Sequence, residues 1–312
     1  MEHSHDGHTH HHHHSHGTID PSLLREEQGI RAVKYCFCVL AATAIFQIII
    51  VFISGSVALF ADTIHNIADA CTSIPLWIAF VLARRKPSLR FTYGYGRFED
   101  LAGLVIVFII VLSAGIIGYQ SIIRLLDPTP VTNIPTVIAA AFIGFAGNEF
   151  VARYRIRIGK KIDSAALVAD GYHARVDSYT SLAVVLSAVG AWFGWHSTDP
   201  IIGLAIVVIL CKIIYESSAA VLTRLLDGVD PQIVETIRRT VGQLQLIHSV
   251  DNVRARWSGH RLYAEVSITL NGTFPIAATH TMEHTAESLL KIALPSLEHV
   301  SFHMHPLLNK HT

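Results

Sequence analysis

Two nine-residue segments of the chain share one arrangement of side chains able to hold a divalent metal. Ala61-Asp62-Thr63-Ile64-His65-Asn66-Ile67-Ala68-Asp69 and Ala169-Asp170-Gly171-Tyr172-His173-Ala174-Arg175-Val176-Asp177 both read A-D-x-x-H-x-x-x-D. On an α-helix, residues i and i+4 stack on one face about 6 Å apart, so each segment offers an imidazole and a carboxylate pointing the same way. His65 with Asp69 and His173 with Asp177 would supply four ligands if the two helices lie side by side. Two neutral imidazoles and two carboxylates around a dication leave such a site formally neutral. Nitrogen and oxygen donors in a roughly tetrahedral set suit Zn2+, and the same donors accept Cd2+, Co2+, Fe2+ or Mn2+. In the plainer reading, the histidines hydrogen-bond other helices and the aspartates pair with Arg175 or polar neighbours; recurrence of the whole pattern argues against it. Asp62 and Asp170 lie one turn before their histidines and are expected to orient the imidazoles or hydrate the access path.

Composition places the helices that carry these segments in lipid. Of 312 residues, 51% are hydrophobic and 15% charged, and the mean hydropathy is positive, an unusual balance for a water-soluble chain of this length. A bilayer core about 30 Å thick requires about 20 largely apolar residues per helical span. Six such stretches lie near 33–54, 57–83, 100–125, 134–153, 164–193 and 200–225, with the two metal-binding segments in the second and fifth. An ionisable group at the centre of a bilayer costs at least about 3 kcal/mol. A chain that places six of them, three in each segment, at similar depth must use or pair them. Arg84, Arg85, Lys86, Arg90 and Arg97 separate spans two and three, and Arg153, Arg155, Arg157, Lys160 and Lys161 separate spans four and five. By the positive-inside rule both termini are cytoplasmic, and a multi-pass position in a bacterial inner membrane is expected.

The ends of the chain have other compositions. Residues 1–30 form a polar tail with nine histidines between His3 and His16 among Ser, Thr, Gly and Asp, expected to be a disordered collector of metal. The run from His10 to His14 could come from an affinity tag, but the interspersed His3, His5, His8 and His16 favour a native segment. The tail lacks the basic and apolar regions of a secretory signal. Residues 31–226 make the all-α six-transmembrane-helix domain. From 227 to 312 the pattern predicts a helix over 231–244, strands over 249–257 and 261–270, a helix over 276–293 and a strand over 298–304. That αββαβ order fits a small α+β, ferredoxin-like C-terminal cytoplasmic domain, whose modest core favours a homodimer. Cys36, Cys38, Cys71 and Cys211 all fall in apolar runs and read as reduced packing residues. Formal net charge is zero, which suggests no nucleic-acid partner.

Taken together, these features resemble the cation diffusion facilitator family of proton-coupled exporters of zinc and related metals. The resemblance rests on the six spans, the paired motifs in spans two and five, Tyr93-Gly94-Tyr95-Gly96-Arg97-Phe98-Glu99 opening span three, and the αββαβ domain. It implies that His65, Asp69, His173 and Asp177 form the transport site, with histidine at the first position pointing to the zinc-preferring branch. It implies a charge pair between Arg97 and Asp227 that locks span three to the end of span six. It places Phe91 and Tyr95 where some members hold metal through loop histidines, so that loop site is expected to be missing. In the C-terminal domain, the family's metal positions match His280, His303 and His305, with Asp251 nearby, while Ser267 stands where histidine is often found. His303 and His305 alternate by two and so share one strand face.

Competing readings make different demands. His280-Thr281-Met282-Glu283-His284 fits H-x-x-E-H, a metallopeptidase pattern. A hydrolase would also need a further carboxylate and a sealed cleft, for which a domain of this size has little room. A non-transporting metal sensor would need the C-terminal histidines and not the membrane aspartates. A transporter would alternate access to the four-ligand site, with protons and metal competing for the imidazoles.

Overall fold

The computed structural model describes residues 21–54, 73–126, 134–193, 198–272 and 274–307. The histidine-rich segment and the first motif, with Asp62, His65 and Asp69, lie outside the described residues, as does Cys71. Helices α1 (Pro21–Ser54), α2 (described over Ser73–Ala83), α3 (Arg97–Leu126), α4 (Ile134–Lys161), α5 (Ala165–Trp192) and α6 (Thr198–Leu225) form a bundle. Within α1, α3 and α6, the segments Leu23–Ile49, Arg97–Ile123 and Ile201–Leu225 are long and apolar enough to cross a membrane. Helices α4 and α5 are as long as α6, about 42 Å at 28 residues each. Their ionisable residues interrupt the apolar run; Arg155, Asp170, His173 and Asp177 among them are buried, whereas Arg153, Arg157, Lys160 and Lys161 are exposed. Large apolar side chains such as Phe108, Phe142, Val208 and Tyr215 are exposed on the outside of the bundle, as lipid contact requires.

Helices α4 and α5 form a tight hairpin. Asp163 turns the chain with a φ of 57°, and Ser164 caps α5 by accepting the Leu167 N–H at 3.1 Å. Glycine permits the close approach. A Cβ on Gly171 would stand 2.9 Å from the Ile156 backbone nitrogen, and one on Gly159 would stand 2.9 Å from that of Val168.

Beyond Leu225 the chain builds α7 (Pro231–Gly242), β1 (Ile247–Ser258), β2 (Arg261–Leu270), α8 (Ile276–Ala293) and β3 (Leu297–Pro306). Asp230 caps α7 through the Gln232 N–H at 2.8 Å, with Pro231 in the first turn. The sheet order is β1-β2-β3, with β1 and β2 antiparallel and β2 and β3 parallel across the α8 crossover. Alternation along β2 turns Leu262, Ala264, Val266, Ile268 and Leu270 onto a core shared with Ile237, Val241, Met282 and Leu290 from the two helices. The α+β domain expected from the sequence pattern is therefore present, in the order αββαβ.

Candidate metal-transport site

His173 and Asp177 lie one turn apart on α5 and are 1% and 4% exposed, with Nε2 3.9 Å from Oδ2. Helices α3, α4 and α6 pack around α5. The structure thus brings together the second imidazole–carboxylate pair inside the bundle, while the first pair lies outside the described residues. Polar neighbours line the same stretch of helix. Ser178 approaches Glu149 Oε2 at 3.4 Å, and a Cβ on Gly144 would stand 3.2 Å from Ser181 Oγ and 3.6 Å from Gln47 Nε2. Arg175, which the plainer reading paired with the aspartates, instead lies 3.5 Å from Glu149 Oε1, an oxygen that also accepts from Arg153 Nε at 2.6 Å.

Asp170 lies against an arginine of α4. Its carboxylate, 0% exposed, lies 3.1 Å from Nη1 of Arg155, itself 1% exposed. This ion pair with α4 supplies the fixed opposite charge that a carboxylate this deeply buried requires. Arg155 Nη2 also donates to Ser73 Oγ on α2 at 2.6 Å. The sequence reading placed Arg155 between spans four and five, whereas it lies within α4 and is 1% exposed. The signal was present in the spacing. Asn148, Ala152, Arg155 and Gly159 recur every three or four residues on the buried face of α4, whereas Arg153, Arg157 and Lys160 lie on the exposed face.

A second polar cluster joins the bundle to the C-terminal domain. Arg97 donates to the Asp227 carboxylate and, through Nη1, to the Arg224 carbonyl at 3.0 Å, so the two residues proposed as a charge pair do meet. Arg224 donates to the carbonyls of Asp163 and Gly259 and stacks over Trp257 at 4.3 Å. His260 Nδ1 lies 2.8 Å from Glu99 Oε2, both residues fully buried, and the Gly259 N–H donates to Asp100 Oδ2 at 3.1 Å. Arg261 donates to Glu26 of α1. The short β1–β2 turn fits here because Gly259 has a φ of +61° and a Cβ on it would meet Glu99 Oε2 at 2.6 Å. Sequence reading missed Glu99 and His260 as partners, since 161 residues separate them.

Within the C-terminal domain the expected ligands do not all converge. His303 and His305 alternate with the inward Phe302 and Met304, and their rings stand 5.3 Å apart on the exposed face of β3. His280 projects from the solvent face of α8, and its near neighbour is His284, with the two Nε2 atoms 3.1 Å apart. Among the described residues no group of three or more His, Cys, Asp or Glu is poised around one metal position. His280 is not grouped with His303 and His305 among the described residues, the helix and the strand presenting them to different surfaces. Asp251 accepts from Ser249 Oγ at 2.6 Å and Thr269 Oγ1 at 2.7 Å. These hydroxyls, with a smaller contribution from the neighbouring His305, hold its carboxyl below the usual carboxylate range. Ser267 pairs with His303 across β2 and β3, and Phe91 and Tyr95 pack ring to ring at 4.9 Å in the loop before α3.

Comparison with known proteins bears on this architecture. The profile described as the cation efflux transmembrane domain matches residues 33–226, and that described as the cation efflux protein cytoplasmic domain matches residues 229–307. A probable cation efflux system protein of Mycobacterium tuberculosis is 45% identical over 304 residues, which cover 97% of this chain and 89% of the relative. The manganese efflux system protein MneP of Bacillus subtilis is 26% identical over 262 residues, 81% of this chain and 88% of that protein. Among solved structures, a nickel form of a MamM CTD variant aligns at 14% identity and a TM-score of 0.24, covering 25% of this chain and all of that one.

Proposed function

The chain belongs to the cation diffusion facilitator family of metal-cation efflux transporters, and from that premise we propose that it exports Zn2+ from the cytoplasm in exchange for protons. The proposed site is His65, Asp69, His173 and Asp177. The observation that carries this reading is the buried His173–Asp177 pair inside the bundle, repeated in sequence by His65 and Asp69. The two imidazoles favour zinc over harder ions. The manganese named for the Bacillus relative belongs to that protein.

The protein works as a transporter and not as an enzyme, so H-x-x-E-H has no hydrolytic part in the account. Zinc binds neutral imidazole and ionised carboxylate, and the ordinary imidazole pKa of about 6.5 lets protons displace the metal on the more acidic side. Alternating exposure of one site to the two sides then exchanges zinc for protons. Both termini and the C-terminal domain are cytoplasmic in this reading, supported by the basic residues between spans. The C-terminal domain pairs two copies of the chain.

The test is zinc flux by purified protein in proteoliposomes. An imposed proton gradient, acidic on the side that receives zinc, is expected to drive zinc uphill. Collapsing that gradient with a protonophore is expected to stop uphill movement, and uphill flux that ignores the gradient would remove proton coupling from the account. Running Cd2+, Co2+, Fe2+ and Mn2+ alongside is expected to rank zinc first.

A further inference from the structure

Arg155 brings four helices of the bundle onto one side chain. From α4 it pairs with Asp170 of α5 at 3.1 Å, donates to Ser73 of α2 at 2.6 Å, and lies against Cys36 of α1. The spacing of those partners in the chain is informative. Asp170 precedes His173 by three residues, and Ser73 follows Asp69 by four. One guanidinium therefore ties α5, one turn before His173, to α2 at Ser73, four residues along the sequence from Asp69.

We propose that Arg155 is a positioning residue for metal transport, tying α5 at Asp170 to α2 at Ser73. This rests on reading His65, Asp69, His173 and Asp177 as the transport site. Arginine suits the task because it stays charged and its planar fork can address two acceptors in set directions. Lysine would keep the charge and lose the fork. The surroundings offer little slack. Gly171 follows Asp170 and lies against Ile156, where a Cβ would already stand 2.7 Å from the Ile156 side chain and 3.1 Å from Arg155 Cβ. The guanidinium reaches α5 through the Asp170 carboxylate, beside the point where the two backbones lie in contact.

The experiment is zinc transport over a concentration series by the full chain in proteoliposomes, with folded protein quantified by size-exclusion chromatography. Substituting groups that orient metal ligands typically costs 10–100-fold in metal affinity, so R155Q and D170N are each expected to raise the KM for zinc by about tenfold or more. Acting through one another, they are expected to be non-additive, with R155Q/D170N no worse than the worse single variant. R155K is expected to fall between R155Q and the unsubstituted protein, and S73A to raise KM by about threefold, a smaller loss than removing the whole fork. Because S73A and R155K leave the buried charges paired, they carry the test if R155Q fails to fold. A purely structural role would lower the yield of folded protein and leave KM unmoved. Wild-type KM in folded S73A and R155K, or additive losses in the double variant, would overturn the proposal. H173A run alongside separates the two claims: if H173A transports normally, the site assignment fails, and if H173A is inert while the Arg155 variants are normal, only the positioning role fails.

Discussion

Asp170 and Asp177 share a helix, a charge and near-complete burial, and their neighbours give them different work. Asp170 faces a guanidinium across the α4–α5 contact, while Asp177 lies beside His173. Asp251 shows the same dependence on neighbours outside the membrane. Hydroxyls of Ser249 and Thr269 depress its pKa, so its small stabilising contribution is present above the ordinary unfolded value of about 3.9 and fades as pH falls through the depressed one. S249A, followed by carboxyl 13C NMR, is expected to move the Asp251 titration upward toward that ordinary value; an unmoved titration would mean that the hydroxyl contact is not what lowers it. Much at this scale was legible in the chain alone. The A-D-x-x-H-x-x-x-D repeat pointed to His173 and Asp177, and the three- and four-residue spacing along α4 already placed Arg155 on the inner face. The partner of Asp170 was not legible, because nothing local to residue 170 specifies which charge stands opposite on a neighbouring helix.

At the scale of elements, glycine sets how closely α4 and α5 approach. G171A would drive a methyl group into Ile156 and Arg155 Cβ, and overpacking of this kind costs about 1–3 kcal/mol. Thermal unfolding of G171A is expected at lower temperature, with the apparent zinc affinity reduced as well; an unchanged melting temperature would show that the helices have room to part. The β1–β2 turn makes a parallel case. H260A leaves Glu99 buried without its imidazole, and breaking a buried pair this way costs about 3–5 kcal/mol. The expected result is faster hydrogen exchange across residues 258–261, and protection equal to the unsubstituted protein would mean the pair does not hold the joint. Helix and strand identities followed from periodicity, down to α8 over 276–293. The docking of the hairpin against α3 did not, because it depends on contacts more than 150 residues apart in the chain.

The whole molecule is a helical bundle with a small α+β domain seated against one end, joined through Arg97, Asp227, Arg224, Glu99 and His260. D227A removes the carboxylate that receives Arg97 while leaving the buried Glu99–His260 contact, so it is expected to loosen the joint less than H260A does, a ranking that hydrogen exchange on the two proteins reads directly. The two-domain plan was legible from the drop in hydropathy after Leu226, and the sites proposed on the C-terminal domain were less so. Its histidines were grouped by family position, whereas α8 and β3 present them to different surfaces. The central claim is that His65, Asp69, His173 and Asp177 grip one ion in transit. Zinc flux through proteoliposomes carrying H65A, D69A, H173A or D177A tests it most directly. Each single substitution is expected to lower flux by at least about 100-fold in folded protein, and transport at the unsubstituted rate in any of the four would contradict it.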